Sequence, residues 1–237
     1  MKTRRLFYED VYIQEFEAIV LSCEEKDGKY HVILNATAFY PEGGGQPADK
    51  GMIDNIPVVD VQYIDGELCH IMESPLEEGA QVIGKIDWNW RFDLMQQHSG
   101  EHIVSGMIHE KYGYENVGFH MGEEIITIDL SGMLTWQQVQ EIEKKVNYYI
   151  WMNQQVNIFY PDERQRKFIP YRSKKELTGE IRLVEFPGAD LCACCGLHVT
   201  HASQIGLVKI LSCKKFRDGV RMEMLSGKRA LEDRKSV

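Results

Sequence analysis

The sequence predicts an α+β protein in which a small, mostly antiparallel sheet or barrel precedes a domain that mixes helices with strands. Up to about Asp87, short strand-like runs alternate with turn residues. From Trp88 the apolar residues recur at helical spacing instead, and strand-like runs return after a second helical stretch. This change of period indicates a domain boundary, so we predict one domain over residues 1–87 and another over residues 88–237.

The candidate strands of the first domain are apolar or alternating runs bounded by turn residues. Asp27-Gly28 and Asp65-Gly66 are candidate hairpin turns, because Asp and Gly tolerate the backbone conformations that tight turns require. The candidate strands cover residues 15–21, 30–35, 58–63, 68–72 and 81–86.

Residues 37–51, TAFYPEGGGQPADKG, interrupt these strands with three consecutive glycines. Glycine permits backbone shapes closed to other residues, and it lets a ligand or another segment approach closely. A long hairpin loop explains the same composition. Both interpretations stay open on composition alone.

The second domain begins with a predicted helix that starts at Trp88 and ends near Gly113, because its apolar residues recur at helical spacing. A second helix opens at Thr135, a candidate N-cap followed by apolar residues at helical spacing. Asp218-Gly219 is a candidate hairpin turn near the end. The strand-like runs of this domain cover residues 125–130, 156–160, 181–186, 206–211 and 220–225.

The negative net charge of the chain argues against one class of function. A formal charge of −9 argues against a nonspecific nucleic-acid coat, which needs a basic footprint, but it leaves a specific RNA contact open. Two late clusters of basic residues are candidates for that contact, with a solvated face as the alternative. They are Arg164, Arg166, Lys167, Arg172, Lys174 and Lys175, and then Lys214, Lys215, Arg217, Arg221, Lys228 and Arg229.

Hydropathy and cysteine usage predict a cytosolic protein. No apolar run approaches the length of a membrane span, and the N-terminal residues contain no apolar signal segment, so we expect no membrane partner. Three of the six cysteines crowd into residues 192–195, which is no disulfide pattern, so reduced thiols are expected. The oligomeric state stays open.

Two short motifs about ninety residues apart resemble the halves of one zinc site. His98 and His102 are four residues apart in the predicted helix and therefore project from one face. Cys194 and His198 supply a second pair with the same separation, and one thiolate with three imidazoles suits zinc. Either pair alone is weak evidence, and Cys192 or Cys195 could replace Cys194 as the sulfur ligand.

The motifs HSGEH, CCGLH and TAFYPEGGGQPADKG together resemble the editing module of alanyl-tRNA synthetase and its freestanding relatives, the AlaX-type trans-editing proteins. The family carries a threonine followed by F-Y-x-E-G-G-G-Q-x-x-D-x-G, then H-x-x-x-H on a helix, then C-x-G-x-H in a turn. All three stand in that order here, and the match covers nearly the whole chain. The chain departs from common family residues at Glu101, Cys195 and Leu197, which affects the expected shape of the amino-acid pocket rather than the ligands.

The resemblance implies a small antiparallel β-barrel followed by an α+β editing domain that contains zinc. It also implies a standalone hydrolase that cleaves the ester joining serine, or glycine, to mischarged alanine tRNA. The implied Zn²⁺ ligands are His98, His102, Cys194 and His198, and Cys194 and His198 are also implied to be catalytic. Because a catalytic zinc keeps one position open, we expect one ligand to be released, and we assign this to His198. Thr37 is implied to be catalytic and substrate-binding, and the other implied substrate-binding residues are Gly43, Gly44, Gly45 and Gln46.

Two other functions stay open at this point. One is a noncatalytic, zinc-stabilised tRNA-binding module, because four protein ligands are typical of a structural site. The other is a hydrolase whose aminoacyl substrate is carried by a different tRNA. For single residues, Thr37 could instead bond within its own loop. Glu101 is expected to be solvated or to bond near the ligands, and Asn116 and His120 are expected to be structural.

Overall fold

The protein is described here from a computed structural model that covers residues 2–173 and 178–233. The predicted α+β class is confirmed. Contacts between Cα atoms divide the chain into two compact units, Met1–Leu94 and Met95–Val237. This division falls inside the first long helix, whereas the sequence pattern places a boundary at the first residue of that helix.

In the first unit, six antiparallel strands pair in a closed ring, in the order β2-β3-β7-β6-β5-β8. Alternation along the strands sends Val20, Val32 and Leu34 into the interior, where they are almost fully buried. A short helix, α1, precedes the ring, and β1 pairs with β4 in parallel. The elements are β1 (Arg4–Arg5), α1 (Leu6–Glu9), β2 (Glu15–Lys26), β3 (Lys29–Leu34), β4 (Ala36–Thr37), β5 (Gly51–Ile53), β6 (Ile56–Ile64), β7 (Glu67–Met72) and β8 (Gln81–Ile86).

Two of the three predicted hairpin turns form at the predicted residues, whereas the turn predicted at Asp218-Gly219 lies one residue earlier, at Arg217-Asp218, because Gly219 already belongs to a strand. Asp27-Gly28 and Asp65-Gly66 both have positive φ at each residue, which confirms the two turn predictions. A third turn of the same kind, Asp54-Asn55, joins β5 to β6 and was not predicted. Strand β5 was missed as well, because three residues are too short to show alternation.

The second unit contains a four-stranded sheet of order β14-β15-β10-β9 and a three-stranded sheet of order β11-β12-β13. The predicted cap at Thr135 is confirmed, because its hydroxyl accepts from the Gln138 N–H and the Gln138 side chain accepts in return. The elements are α2 (Trp88–Tyr112), which begins in the first unit, β9 (Asn116–Met121), β10 (Ile126–Leu130), α3 (Trp136–Trp151), β11 (Asn157–Phe159), α4 (Glu163–Arg166), β12 (Leu183–Phe186), β13 (Asp190–Ala193), a 3₁₀ helix (Ala202–Ile205), β14 (Val208–Phe216), β15 (Gly219–Ser226) and α5 (Gly227–Glu232).

Helix α2 ends where the sequence predicts. The Gly113 N–H donates to the His109 carbonyl, and Gly113 takes a positive φ that closes the last turn. Strands β9 and β13 were not predicted, because glycine, aspartate and cysteine obscure their pattern. Among the described residues, no helix has both the length and the apolar character that a membrane crossing requires.

Candidate metal centre

Four predicted ligands lie together in the second unit. Helix α2 carries His98 and His102, and the turn after β13 carries Cys194 and His198; their candidate ligand atoms all lie within 4.8 Å of one another. Cys194 Sγ lies 3.5 Å from His98 Nε2 and 3.5 Å from His198 Nε2. Nitrogen and sulfur ligands at tetrahedral zinc bond lengths would stand about 3.5 Å apart. The donor set and its spacing therefore fit a zinc ion.

Burial and charge favour the metal-binding protonation states of Cys194 and His198, but not that of His102. Burial alone would lower the pKa of His102, but Cys194 and Asp190 raise it to about 10, so a proton must leave this imidazole when a metal binds. Burial alone would raise the pKa of Cys194, but the neighbouring His98 and His102 imidazoles lower that pKa well below its usual value. Burial lowers the pKa of His198 well below its usual value, and the charges of the other two imidazoles add to this. A thiolate and a neutral imidazole are the metal-binding forms of these side chains. Cys194 keeps partial solvent exposure, whereas the three imidazoles are buried.

Hydrogen bonds on the far side of two imidazoles set their orientation. His102 Nδ1–H donates to Asp190 Oδ2 over 2.8 Å, which leaves Nε2 for the ligand group. His198 Nδ1 lies 3.2 Å from Ser99 Oγ, and Ser99 Oγ accepts from the Val199 N–H. Asp190 borders the ligand turn in the sequence, but nothing in the pattern indicates that Ser99 belongs to the site.

The ligand turn is fixed by contacts that involve no metal. Arg182 Nη1 donates to the carbonyl oxygens of Cys194 and Gly196, each over 2.9 Å. The Gly196 N–H lies 3.3 Å from Cys194 Sγ and donates to it. Arg182 could not be found from the sequence, because its role depends on pairing between β12 and β13.

Glu101 is buried, so the solvated alternative for this residue is wrong. It is 2% exposed, and it accepts hydrogen bonds from Ser105 Oγ and Asn116 Nδ2. Asn116 lies at the start of β9, so this bond connects α2 to the sheet. His120, on the same strand, is exposed.

The two alternative sulfur ligands occupy different environments. Cys195 is exposed and belongs to neither candidate ligand group among the described residues. Cys192 is buried and forms a second group of three with His102 and Asp190. Burial raises the pKa of the Cys192 thiol far above its usual value, and the Asp190 charge adds to this, so this side chain resists forming the thiolate.

The glycine-rich loop, residues 37–51, begins at Thr37, whose buried hydroxyl has two hydrogen-bond partners. Thr37 is 0% exposed; its Oγ1 accepts from the Phe39 N–H and lies 2.8 Å from His70 Nε2. His70 Nδ1 donates to the Val32 carbonyl, and burial lowers the His70 pKa to about 4, so Nε2 is an acceptor. The Thr37 hydroxyl therefore donates to His70. His70 was missed because it lies within the apolar run of β7.

The tip of this loop turns at the glycines. Gly43 and Gln46 exchange two backbone hydrogen bonds of 3.0 Å, and Gly44 and Gly45 between them have positive φ. Gly44 and Gly45 are exposed, whereas the Gln46 side chain is fully buried. The backbone of Gly44 and Gly45 is therefore exposed at the tip of the loop.

A buried ion pair anchors the other end of the loop. Arg91 bonds to both carboxylate oxygens of Asp49 and donates to the carbonyls of Val11 and Ala38. Asp49 also accepts from the Tyr40 N–H, and both charged side chains are 0% exposed. No local pattern marks Asp49 and Arg91 as a pair, because a sequence does not show which distant residues meet.

Comparison with known proteins agrees with the motifs. Residues 5–90 match the family of class II (A) tRNA synthetases, and residues 181–221 match the second additional domain of threonyl and alanyl tRNA synthetases. The alanyl-tRNA editing protein AlaX-L of Pyrococcus horikoshii is 32% identical over 238 residues, covering 96% of this chain and 59% of that protein. The alanyl-tRNA editing protein Aarsd1-B of Xenopus laevis is 34% identical over 240 residues, covering 94% and 58%.

Over nearly its whole length, the chain is similar to alanyl-tRNA editing proteins. An alanine–tRNA ligase of Ignicoccus hospitalis is also similar, at 35% identity over 244 residues that cover 98% of this chain and 27% of the ligase. The chain thus spans less than two thirds of the length of these curated relatives. The resemblance to alanyl-tRNA editing proteins that was drawn from the three motifs is confirmed.

Proposed function

We propose that this chain is a trans-editing hydrolase that removes serine, and glycine, from mischarged alanine tRNA by cleaving the aminoacyl ester at a zinc site. The observation that carries the proposal is the convergence of His98, His102, Cys194 and His198 in a chain related to alanyl-tRNA editing proteins. A pocket built for alanine discriminates poorly against serine, which adds only one hydroxyl, so a second hydrolytic site is needed.

The four residues would hold zinc through Sγ and three imidazole nitrogens. Bound zinc would supply a Lewis acid that polarises the ester carbonyl or acidifies a water molecule. Four protein ligands make a closed set, so one must yield a position if the site is catalytic. We assign that position to His198, because its Nδ1 faces the Ser99 hydroxyl, whereas His102 is held by the Asp190 carboxylate. Cys194 would remain a fixed, partly exposed ligand.

Thr37 and the Gly43–Gln46 turn are proposed to bind the aminoacyl end of the substrate. The exposed backbone of Gly44 and Gly45 suits close approach by a ligand, because these residues carry no side chain. The Thr37 hydroxyl already donates to His70, so it has only a lone pair to offer to a serine hydroxyl.

Replacing Thr37 with valine is expected to weaken serine removal by about fivefold while glycine removal changes less, since one hydrogen bond contributes about 1 kcal/mol. The measurement is deacylation of seryl- and glycyl-tRNA(Ala) by the same preparations. Thr37→Ser is the matched control, because it keeps the hydroxyl. An equal loss with both substrates would contradict a role in reading the serine hydroxyl.

A noncatalytic, zinc-stabilised tRNA-binding module is the second candidate, and the closed four-ligand set favours it. Incubating the purified chain with seryl-tRNA(Ala) separates the two functions. Multiple turnovers with release of free serine support the hydrolase. Binding of the tRNA without serine release supports the module, and turnover of seryl esters on other tRNAs at the same rate contradicts specificity for alanine tRNA.

We place the RNA contact on the segment around α4. Phe168 is 87% exposed and lies directly after a capped turn, and the cations Arg164 and Lys167, within four residues before it in the sequence, are exposed as well. An exposed aromatic ring among cations suits a base stacked on the ring and phosphates held by the charges. Lys174 and Lys175, which belong to the same sequence cluster, lie outside the described residues.

Replacing Phe168 with alanine is expected to weaken tRNA binding by about fivefold or more, since stacking of one base contributes about 1–3 kcal/mol. Replacing Arg164 and Lys167 together with glutamine should flatten the salt dependence of the dissociation constant. Trp151→Ala is the control for an exposed aromatic residue, and a Lys214/Lys215 double substitution is the control for exposed charge. Equal losses in test and control variants would contradict this placement.

A further inference from the structure

His102 is held from its outer side by a carboxylate that is itself held by a guanidinium group. Asp190 Oδ2 accepts from His102 Nδ1–H over 2.8 Å, and Asp190 Oδ1 accepts from Arg172 Nε–H over 2.7 Å. The Asp190 side chain is 1% exposed. We propose that Asp190, held by Arg172, is a positioning residue that fixes the His102 ring and raises the zinc affinity of the four-residue group. This inference rests on the proposed function only for the identity of the metal.

The imidazoles of His102 and His198 have different hydrogen-bond partners on the side away from the ligand group, and this difference gives Asp190 a distinct role. His198 faces a neutral hydroxyl, Ser99 Oγ, over 3.2 Å, whereas His102 donates to a charged carboxylate over the shorter distance. Hydrogen bonds to an ionised acceptor are shorter and about twice as strong as neutral ones. A carboxylate also makes the opposite ring nitrogen a better metal ligand. Asp190 should therefore contribute more to metal affinity than Ser99 does.

The backbone of α2 is shaped to admit Asp190. Gly106 lies one helical turn after His102, and a Cβ built there would lie 2.3 Å from the Ala189 carbonyl oxygen and 2.5 Å from Asp190 Cβ. A side chain at position 106 must therefore displace the segment that carries the carboxylate. Gly106→Ala is thus a way to move Asp190 without altering its chemistry.

The contacts of Asp190 argue against the alternative that His102, Asp190 and Cys192 form a second metal site. Both carboxylate oxygens already accept hydrogen bonds, one from His102 and one from Arg172. The nitrogen of His102 that faces this group carries the proton it donates, so it has no lone pair for a metal. The geometry instead suits one metal on the Nε2 side of the ring.

The test is the zinc dissociation constant of the full chain, measured by competition with a chromogenic chelator. Asp190→Asn and Gly106→Ala are each expected to weaken zinc binding about 10- to 100-fold, the usual effect of losing a partner of a metal-bound histidine. Ser99→Ala is the comparison variant, and it is expected to weaken zinc binding by only about fivefold, because it removes a neutral hydrogen bond of about 1 kcal/mol. The visible absorption bands of the chain with bound Co²⁺ should shift in Asp190→Asn, because the ligand field at the metal changes when His102 becomes a weaker donor.

A second variant keeps the test valid if Asp190→Asn folds poorly. The double variant Asp190→Asn/Arg172→Gln removes both charges and leaves no unpaired guanidinium, and its zinc affinity is expected to be as weak as that of Asp190→Asn. Unchanged zinc affinity in both the double variant and Gly106→Ala would overturn the inference, as would two zinc ions per chain or none. Seryl-tRNA(Ala) deacylation is assayed separately. Asp190-dependent zinc binding without serine release would sustain the inference and refute the proposed hydrolase.

Discussion

Replacing Cys194 with alanine is expected to abolish stoichiometric zinc binding and to lower the rate of seryl-tRNA(Ala) deacylation by more than about 100-fold. Cys194 is the only sulfur in the four-residue group, and it lies 3.5 Å from two of the three imidazole nitrogens. Loss of a direct ligand should exceed the roughly 10- to 100-fold effect of losing a residue that only orients a ligand. Zinc content by elemental analysis and release of free serine are measured on the same sample.

Cys195 provides the matched control for this experiment. It is the next residue, it is exposed, and it lies outside both candidate ligand groups among the described residues. Cys195→Ala should therefore leave zinc content and deacylation close to those of the unchanged chain. If Cys194→Ala lost the metal but deacylated at full rate, zinc would have no part in the reaction.

Replacing Arg91 with methionine is expected to lower the free energy of unfolding by about 3–5 kcal/mol, because it leaves the buried Asp49 carboxylate without its cation. The substitution also removes hydrogen bonds to the carbonyls of Val11 and Ala38. Urea unfolding followed by circular dichroism measures the change. Because Asp49 closes the glycine-rich loop, deacylation should fall even at temperatures where the chain remains folded.

The double variant Asp49→Leu/Arg91→Met separates charge from packing. With both charges gone, stability should recover by about 1–3 kcal/mol relative to Arg91→Met, since hydrophobic replacement of a buried pair is often close to neutral. Equal stability of Arg91→Met and the double variant would contradict the expectation that the uncompensated Asp49 carboxylate causes the loss.

The sequence predicts what depends on local pattern. The caps and turns at Thr135, Asp27-Gly28 and Gly113 form as expected, because each depends on the chemistry of a few neighbouring residues. The helical spacing of His98 and His102 likewise places both imidazoles in one group. The family resemblance, read from three motifs, is confirmed by the relatives.

The supporting residues of the site depend on pairings that no local pattern encodes. In the sequence, Ser99 only stands between two predicted ligands, and no pattern indicates that it bonds to His198, which lies 99 positions away. The pattern predicts that Arg182 belongs to a strand, but it does not predict that the guanidinium group donates to two carbonyls of the ligand turn. Glu101 is expected in solvent or near the ligands, because periodicity does not show that Asn116, at the start of β9, donates to it.

The bonds from Arg182 to the ligand turn have a consequence for how the protein meets its metal. A metal site whose ligand atoms are already in position loses little conformational freedom when it binds an ion. Zinc binding therefore does not have to be coupled to folding of the chain. A chelator should then strip the ion and leave the polypeptide intact, and added zinc should restore it within the time of simple mixing.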